Sequence, residues 1–479
     1  MNSILKLSSW RDIRAYLPLL LLWVGFGPLW IAANGDRVSP WQDGALEVAE
    51  SARHAYGLRD DTGRTMDALQ VVEHPQQGYL GVYHTLEDGV FRANLARSND
   101  LMRWQFVRGI GGLRTAMPSI YGTSNLGFLV AFEASDAAGE IHLHFDAYAN
   151  LADLESGRPL RGFDAPIFLS STSVKAEGTP CIESVFLDPD WDHSLVELSF
   201  HYFDERRPAV DRQARGWLRN FSHWTAKPEA SLDEAMEQLG VQGNLGDRDV
   251  AASPKGQWKV IEGQLTPHRW ETWRLFQSVG KAPYQPLVVT THEGSRAFGN
   301  PSVEWVLSPS KELALGFGSF LFGEGASREE RGQLFCYWDT GLRNLALKPL
   351  EQTQEMKVSA SSYRSMIEGP ALAFDQDRRS QWVAADQGQG AWLSYTWAAP
   401  RLVEGFQIVW GVGLPEKWKV SALATNGVWQ VVWRGETRPP DSSLAWIAPT
   451  ESRALRLDCL APAMQSKTHA VREWRIWGQ

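Results

Sequence analysis

The chain has 479 residues, enough for two or three domains, with 43% hydrophobic and 22% charged side chains, a globular balance without a low-complexity tract. Its formal charge of −9 is uneven: residues 354–479 carry 14 Lys+Arg against 12 Asp+Glu, and the remainder 33 against 44. An acidic body without a basic stripe argues against nucleic acid as a partner.

Met1 to Ala33 reads as separate from the fold. Lys6, Arg11 and Arg14 precede an apolar run from Leu17 to Ala33 that Gly27-Pro28 interrupts. This pattern fits a secretory signal cleaved after Ala33, or else an uncleaved N-terminal membrane anchor. Either reading places the body outside the cytoplasm, and the run is not followed by a Cys for lipid attachment. Cys181, Cys336 and Cys459 lie far apart. They allow one disulfide at most, and buried unpaired thiols are the simpler expectation. Residues 34–64 form an extension, in which 43–56 is expected to hold a short helix.

From Thr65 to Asp339 a small unit recurs: a residue, Pro or a substitute, any residue, then a β-branched residue. It stands as Met117-Pro118-Ser119-Ile120, Thr179-Pro180-Cys181-Ile182 and Asn300-Pro301-Ser302-Val303. Weaker copies are Asp67-Ala68-Leu69-Gln70-Val71 and Asp247-Arg248-Asp249-Val250. Each begins a strand, and the spacing suits blades of four strands. A second signature, Asp100-Leu101-Met102-Arg103-Trp104, is echoed at Asn220–Trp224 and Arg269–Trp273. Ser231 to Gly240 reads as a helix with a capping box of Ser231 and Glu234, inserted between the third and fourth repeats.

These motifs resemble the five-bladed β-propellers of glycoside hydrolase families 43 and 32, with the Trp capping outer strands against the next blade. The resemblance implies an all-β unit over 65–345, with Asp67 as general base and Glu177 as general acid, two carboxylates facing across a scissile bond. The third carboxylate it expects is absent at Met117-Pro118-Ser119. The residues themselves leave another reading open, in which Asp67 and Glu177 bond backbone amides at strand ends. His84, His201, Arg248 and Asn300, beside strand starts, are candidate sugar ligands. Arg212 and Arg215 serve the same role or tie blades together. His142, His144 and Asp146 share one strand face, which suits either a metal or a solvated outer strand.

Residues 354–479 hold 10 of the 23 Trp on short alternating strands. Their order resembles the discoidin fold (coagulation factor 5/8 type C), a β-sandwich that bacteria use as a carbohydrate-binding module. Asp375, Asp377, Ser380 and Glu473 match that family's structural calcium site, although Gln376 stands where the family has Gly. Tyr363, Trp418 and Trp446 are loop-edge candidates for stacking on sugar, whereas Trp397, Trp410 and Trp474 are expected in the core. The polar link 340–355 joins the two domains. The whole reads as an extracytoplasmic, all-β, carbohydrate-handling protein. It is a glycoside hydrolase, a non-catalytic glycan-binding or surface-assembly protein, or a protein–protein adaptor.

Overall fold

The computed structural model describes residues 44–478 except 75–77, 123–126, 171–174, 188–190, 192–193, 205–209, 254–255, 311, 344–355, 375–379, 386–389, 411–414, 436–444 and 463–468. The expected signal or anchor, Met1–Ala33, and most of the link 340–355 lie outside the described residues. Among those described, no helix is long and apolar enough to cross a membrane.

The fold is all-β. Five sheets follow one another along the chain, and a sixth is built from the C-terminal residues. Sheet 1 comprises Asp67–His74, Gly78–Glu87, Val90–Ser98 and Gln105–Ile110, and sheet 2 Thr115–Gly122, Phe128–Ser135, Ile141–Tyr148 and Arg161–Asp164. Sheet 3 comprises Glu177–Phe186, Leu195–Phe203, Asp211–Arg219 and His223–Pro228. Sheet 4 has Arg248–Ser253, Gly256–Gln264, Trp273–Val279 and Gln285–Thr290, and sheet 5 has Phe298–Leu307, Glu312–Leu321 and Gly332–Arg343. Within each sheet these strands form an antiparallel meander.

The N-terminal segment completes two sheets. Ala45–Glu47 adds to sheet 4 in parallel with Gln285–Thr290, and Arg53–Ala55 adds antiparallel to the last strand of sheet 5. Between them only Val48–Glu50 is helical, a single 3-10 turn. The helix expected over 43–56 is therefore replaced by two edge strands. Their backbone groups find partners more than 200 residues away, where local propensity has no say.

The first strands of the five sheets pack in a cycle: that of sheet 1 against sheet 2, then 3, 4 and 5, and sheet 5 back against sheet 1. Hydrogen bonds from backbone to side chain tie neighbouring first strands together. Ile182 N–H donates to Ser119 Oγ at 3.2 Å, Val303 N–H to Asp249 Oδ2 at 2.9 Å, and Val71 N–H to Glu304. Apolar clusters fill the seams, mixing side chains of sheets 1 and 2, 2 and 3, 4 and 5, and 5 and 1. Helix α1 (Ala230–Gln238) packs Leu232 and Met236 with Ile261 and Phe276 of sheet 4. Its N-cap is Glu229 and Ser231 lies inside the first turn, so the helix stands where expected but without the capping box.

The recurring Pro unit has a structural meaning. In four sheets the pairing of first and second strands shifts register at that unit, between Asp67 and Gln70, Ala116 and Ser119, Gly178 and Cys181, and Gly299 and Ser302. Each bulge holds one left-handed residue: Ala68, Met117, Thr179 or Asn300, with φ of 54°, 45°, 46° and 45°. Three of them precede Pro, where that conformation is disfavoured, so the surrounding sheets must hold it in place. The weak copy in sheet 4 has no shift.

The Trp signature is also a real turn. Asp100 Oδ1 accepts the amides of Met102 and Arg103, and Trp104 Nε1–H donates to the Leu101 carbonyl. The Trp104 ring covers Gly81, as Trp224 covers Gly216. Both rings share their clusters with the preceding sheet, not the following one as expected.

In the C-terminal sheet, Trp392–Trp410 and Ala445–Pro462 are long strands whose pairing shifts register twice. They pair with Lys357–Ala360, Trp382–Val383, Pro415–Leu423, Trp429–Gly435 and Ala470–Gly478 into one connected network. Its apolar face holds Trp382, Trp397, Trp410, Trp418 and Trp474 with Leu393, Leu457 and Ile476. Trp397, Trp410 and Trp474 are core residues, as expected. All three cysteines are free and buried.

Candidate functional site

The five first strands begin at one end of the cycle, and the bulges cluster there. Second-strand side chains of one sheet hold the left-handed amides of the next. Met117 N–H donates to His84 Nδ1 at 3.1 Å, Thr179 N–H to Glu133 Oε1 at 2.7 Å, and Asn300 N–H to Glu262 Oε2 at 2.5 Å. Glu262 also accepts the Asp247 amide at 2.7 Å. A Cβ on Gly178 would collide with the Glu133 carboxylate, and one on Gly299 would lie 2.7 Å from Glu262 Oε2. In sheets 3 and 5 the glycine ahead of the bulge leaves the space into which the acid fits.

Acids dominate this end. Burial pushes Glu133 and Asp211 above the usual carboxylate range, Glu262 up to about 8 and Asp67 up to about 6. Asp247 is raised well above its ordinary value by burial and then by Glu262. The imidazoles are His84, which burial lowers to about 4, and His201, whose Nδ1 meets Thr179 Oγ1 at 2.7 Å. Among the described residues, Asp67 Oδ1 and Asp211 Oδ1 are buried without a hydrogen-bond partner.

Asp67 and Glu177 are placed differently from one another. Asp67 occupies the position immediately before its left-handed residue, opposite His84, where sheet 3 has Gly178. Glu177 is one residue earlier and, by strand alternation, turns to the other face. Its Oε1 accepts three backbone amides, from Phe168 at 2.8 Å, Ser170 at 3.1 Å and Leu169. Burial raises its pKa, and the three amides act against that rise. Glu177 therefore ties the connection from sheet 2 down onto sheet 3, a structural role for the expected general acid.

The other expected ligands divide similarly. His84 is buried and holds the Met117 amide, and the Asn300 amide is held by Glu262. Arg248 is buried in a quartet of alternating charge: it bonds Glu183 at 2.7 Å and Glu229 at 2.5 Å, while Arg215 meets the same two acids at 2.9 and 3.2 Å. Arg248 and Arg215 thus tie sheets 3 and 4 to the start of α1 instead of facing a ligand. Trp418 is only 6% exposed and packs on Trp410 and Phe406, because it alternates in phase with core residues Val420 and Ala422. Tyr363 is 46% exposed on a loop that also presents Met366 at 86%. Trp446 lies on a strand, but its side chain is outside the described residues.

Of the expected calcium ligands, Asp375, Asp377 and the Glu473 side chain lie outside the described residues, and Ser380 Oγ–H donates to the Leu372 carbonyl at 3.4 Å. His142 and His144 converge on Asp164 Oδ1 at 3.1 and 2.6 Å, and His144 also meets Asp146 at 3.1 Å. His142 and Asp164 line an open cleft of about 550 Å³ with Asp136, Glu140 and Lys175. Among the described residues, no group of three or more His, Cys, Asp or Glu could hold a metal ion.

The sequence did not single out an aromatic shelf beside the acids. Trp270, 49% exposed, stands 5.0 Å from the Phe322 ring, which in turn contacts Trp273 and Phe320. Phe322 and Glu262 flank the same point on Gly299, so the shelf adjoins the mouth. The one signal in the sequence is the place of Trp270 outside the strand that follows it, Trp273–Val279.

No family model matches the chain, and no curated protein matches it. Among solved structures, a chitosan-binding module of a chitosanase/glucanase from Paenibacillus sp. IK-5 is 14% identical, spanning 26% of this chain and 96% of that one at a TM-score of 0.25. The family 32 carbohydrate-binding module of C. perfringens NanJ, solved with galactose, is 18% identical over 26% of this chain and 93% of that one, at a TM-score of 0.23.

Proposed function

We propose that this chain is an extracytoplasmic glycan-binding protein whose five sheets form a five-bladed propeller, with sugar bound at the end where the first strands begin. The cyclic packing of those strands supports the radial arrangement, and the bonds between neighbouring sheets at the bulges gather one mouth. The observation that carries the binding reading is the Trp270–Phe322 shelf beside Glu262, an exposed ring for a pyranose face next to groups that hydrogen-bond hydroxyls. The C-terminal sheet belongs to the same proposal as a discoidin-like sandwich, with Tyr363 as its outward ring. A calcium ion held near 373–380 would stiffen that unit, and a chelator that leaves its melting curve unmoved removes the ion from the proposal. Residues 1–33 act as export signal or tether in this reading.

The test is a glycan array with the wild type and Trp270→Ala. Wild type should retain a set of glycans, and the variant should lose at least tenfold in affinity at unchanged Tm, because Trp270 is half exposed. Equal binding by the two proteins, or none by either, defeats the reading. Hydrolysis is a second reading, favoured by the buried, unpartnered Asp67 Oδ1 and the rise of its pKa to about 6. Glycan turnover that Asp67→Asn leaves intact would dismiss it.

A further inference from the structure

The mouth has a centre that no internal bond explains. Asp211, at the start of the third strand of sheet 3, is 8% exposed, and among the described residues its Oδ1 has no hydrogen-bond partner. Its charge is felt by Glu133 of sheet 2, His201 of sheet 3 and Glu262 of sheet 4, so it stands among the groups that three sheets send to this end. Glu133 and His201 are held close by Gly178: a Cβ there would clash with the first and lie 2.9 Å from Cε1 of the second. The adjacent guanidinium of Arg212 donates to the Asp211 and Gly243 carbonyls and meets Glu237 at 3.5 Å.

A buried carboxylate without a donor is costly, and a cationic donor satisfies it best. A hydroxyl supplies one hydrogen and no charge. A protonated amine supplies up to three hydrogens and a positive charge opposite Asp211. We infer that the mouth receives an ammonium group, so that the glycan it selects carries free amino groups and is neither neutral nor uronic. Asp211 is the residue that contacts the ammonium, Glu133 and Glu262 complete the acidic surround, and the Trp270 shelf takes the sugar ring. This inference rests on the glycan-binding reading above.

Calorimetric titration of the full chain separates the two. The probes are a glucosamine tetramer, the N-acetylglucosamine tetramer and spermidine, each with wild type, Asp211→Asn and Trp270→Ala. The glucosamine tetramer should bind at least tenfold more tightly than its acetylated counterpart. Asp211→Asn should abolish that preference without lowering Tm, since it removes a buried charge that has no donor. Spermidine should bind weakly and be indifferent to Trp270→Ala. A preference that survives Asp211→Asn, or equal affinity for the two tetramers, overturns the inference even if Trp270-dependent glycan binding persists. Spermidine binding as tight as the glucosamine tetramer overturns the assignment of the amine to a sugar. Failure of every oligosaccharide overturns this inference and the glycan reading together.

Discussion

The Glu133 carboxylate of sheet 2 accepts the Thr179 amide of sheet 3 at 2.7 Å, in the space that Gly178 leaves by having no Cβ. One glycine therefore sets how closely two sheets approach. Gly178→Ala should destabilise the protein by about 1–3 kcal/mol, the usual cost of overpacking a filled site. In urea denaturation the double variant Gly178→Ala/Glu133→Ala should lose less than the sum of the two single variants. Strict additivity would mean that the two groups do not compete for the same space.

The charged quartet yields a larger effect. Arg248→Ala leaves Glu183 and Glu229 beside a single remaining guanidinium, Arg215, in a buried setting. A loss of about 3–5 kcal/mol is expected, the typical cost of removing one partner of a buried ion pair. Chemical denaturation measures it, and a loss below about 1 kcal/mol would show that the quartet is more solvated than its burial implies.

Two buried groups at the mouth titrate in opposite directions. Burial lowers His84 from 6.5 to about 4, so the unfolded chain binds the proton more readily than the folded one. Its contribution is fully present above pH 6.5 and is lost as pH falls toward 4, on the order of 3 kcal/mol. Burial raises Glu262 from 4.5 to about 8, so its contribution is present below pH 4.5 and is lost as pH rises through 8. Melting curves from pH 4 to 9 should therefore peak inside this window. His84→Gln should flatten the acid limb, and Glu262→Gln the alkaline one.

In the C-terminal unit, Trp418→Ala should cost about 3–5 kcal/mol as a core truncation. Tyr363→Ala, on its exposed loop, should stay within about 0.5 kcal/mol. Comparison of the two melting curves checks the assignment. Similar losses for both would put Tyr363 in the core as well.

What the sequence revealed depended on whether the signal was local. The Pro unit was legible because a bulge needs particular residues at consecutive positions. The Asp100–Trp104 turn was legible for the same reason. The two short strands at 45–47 and 53–55 were not, because three residues carry no periodicity and their partners lie at the far end of the unit. Glu177 was misplaced by one residue: alignment on Pro180 puts Gly178 opposite Asp67, and a shift of one position reverses the face. Trp418 could have been read correctly from its two-residue phase with Val420 and Ala422. The bonds of Arg248 to Glu183 and Glu229 could not, since 65 and 19 residues of chain separate the partners.

The edge strands of sheets 4 and 5 are supplied by residues 45–47 and 53–55, which leave the ribosome long before their partners near 288 and 336. Early in synthesis these N-terminal strands have nothing to pair with: the first waits for Gln285–Thr290 and the second for Gly332–Arg343. Sheets 4 and 5 are thus completed late, by joining an early segment of the polypeptide to strands made more than 200 residues after it.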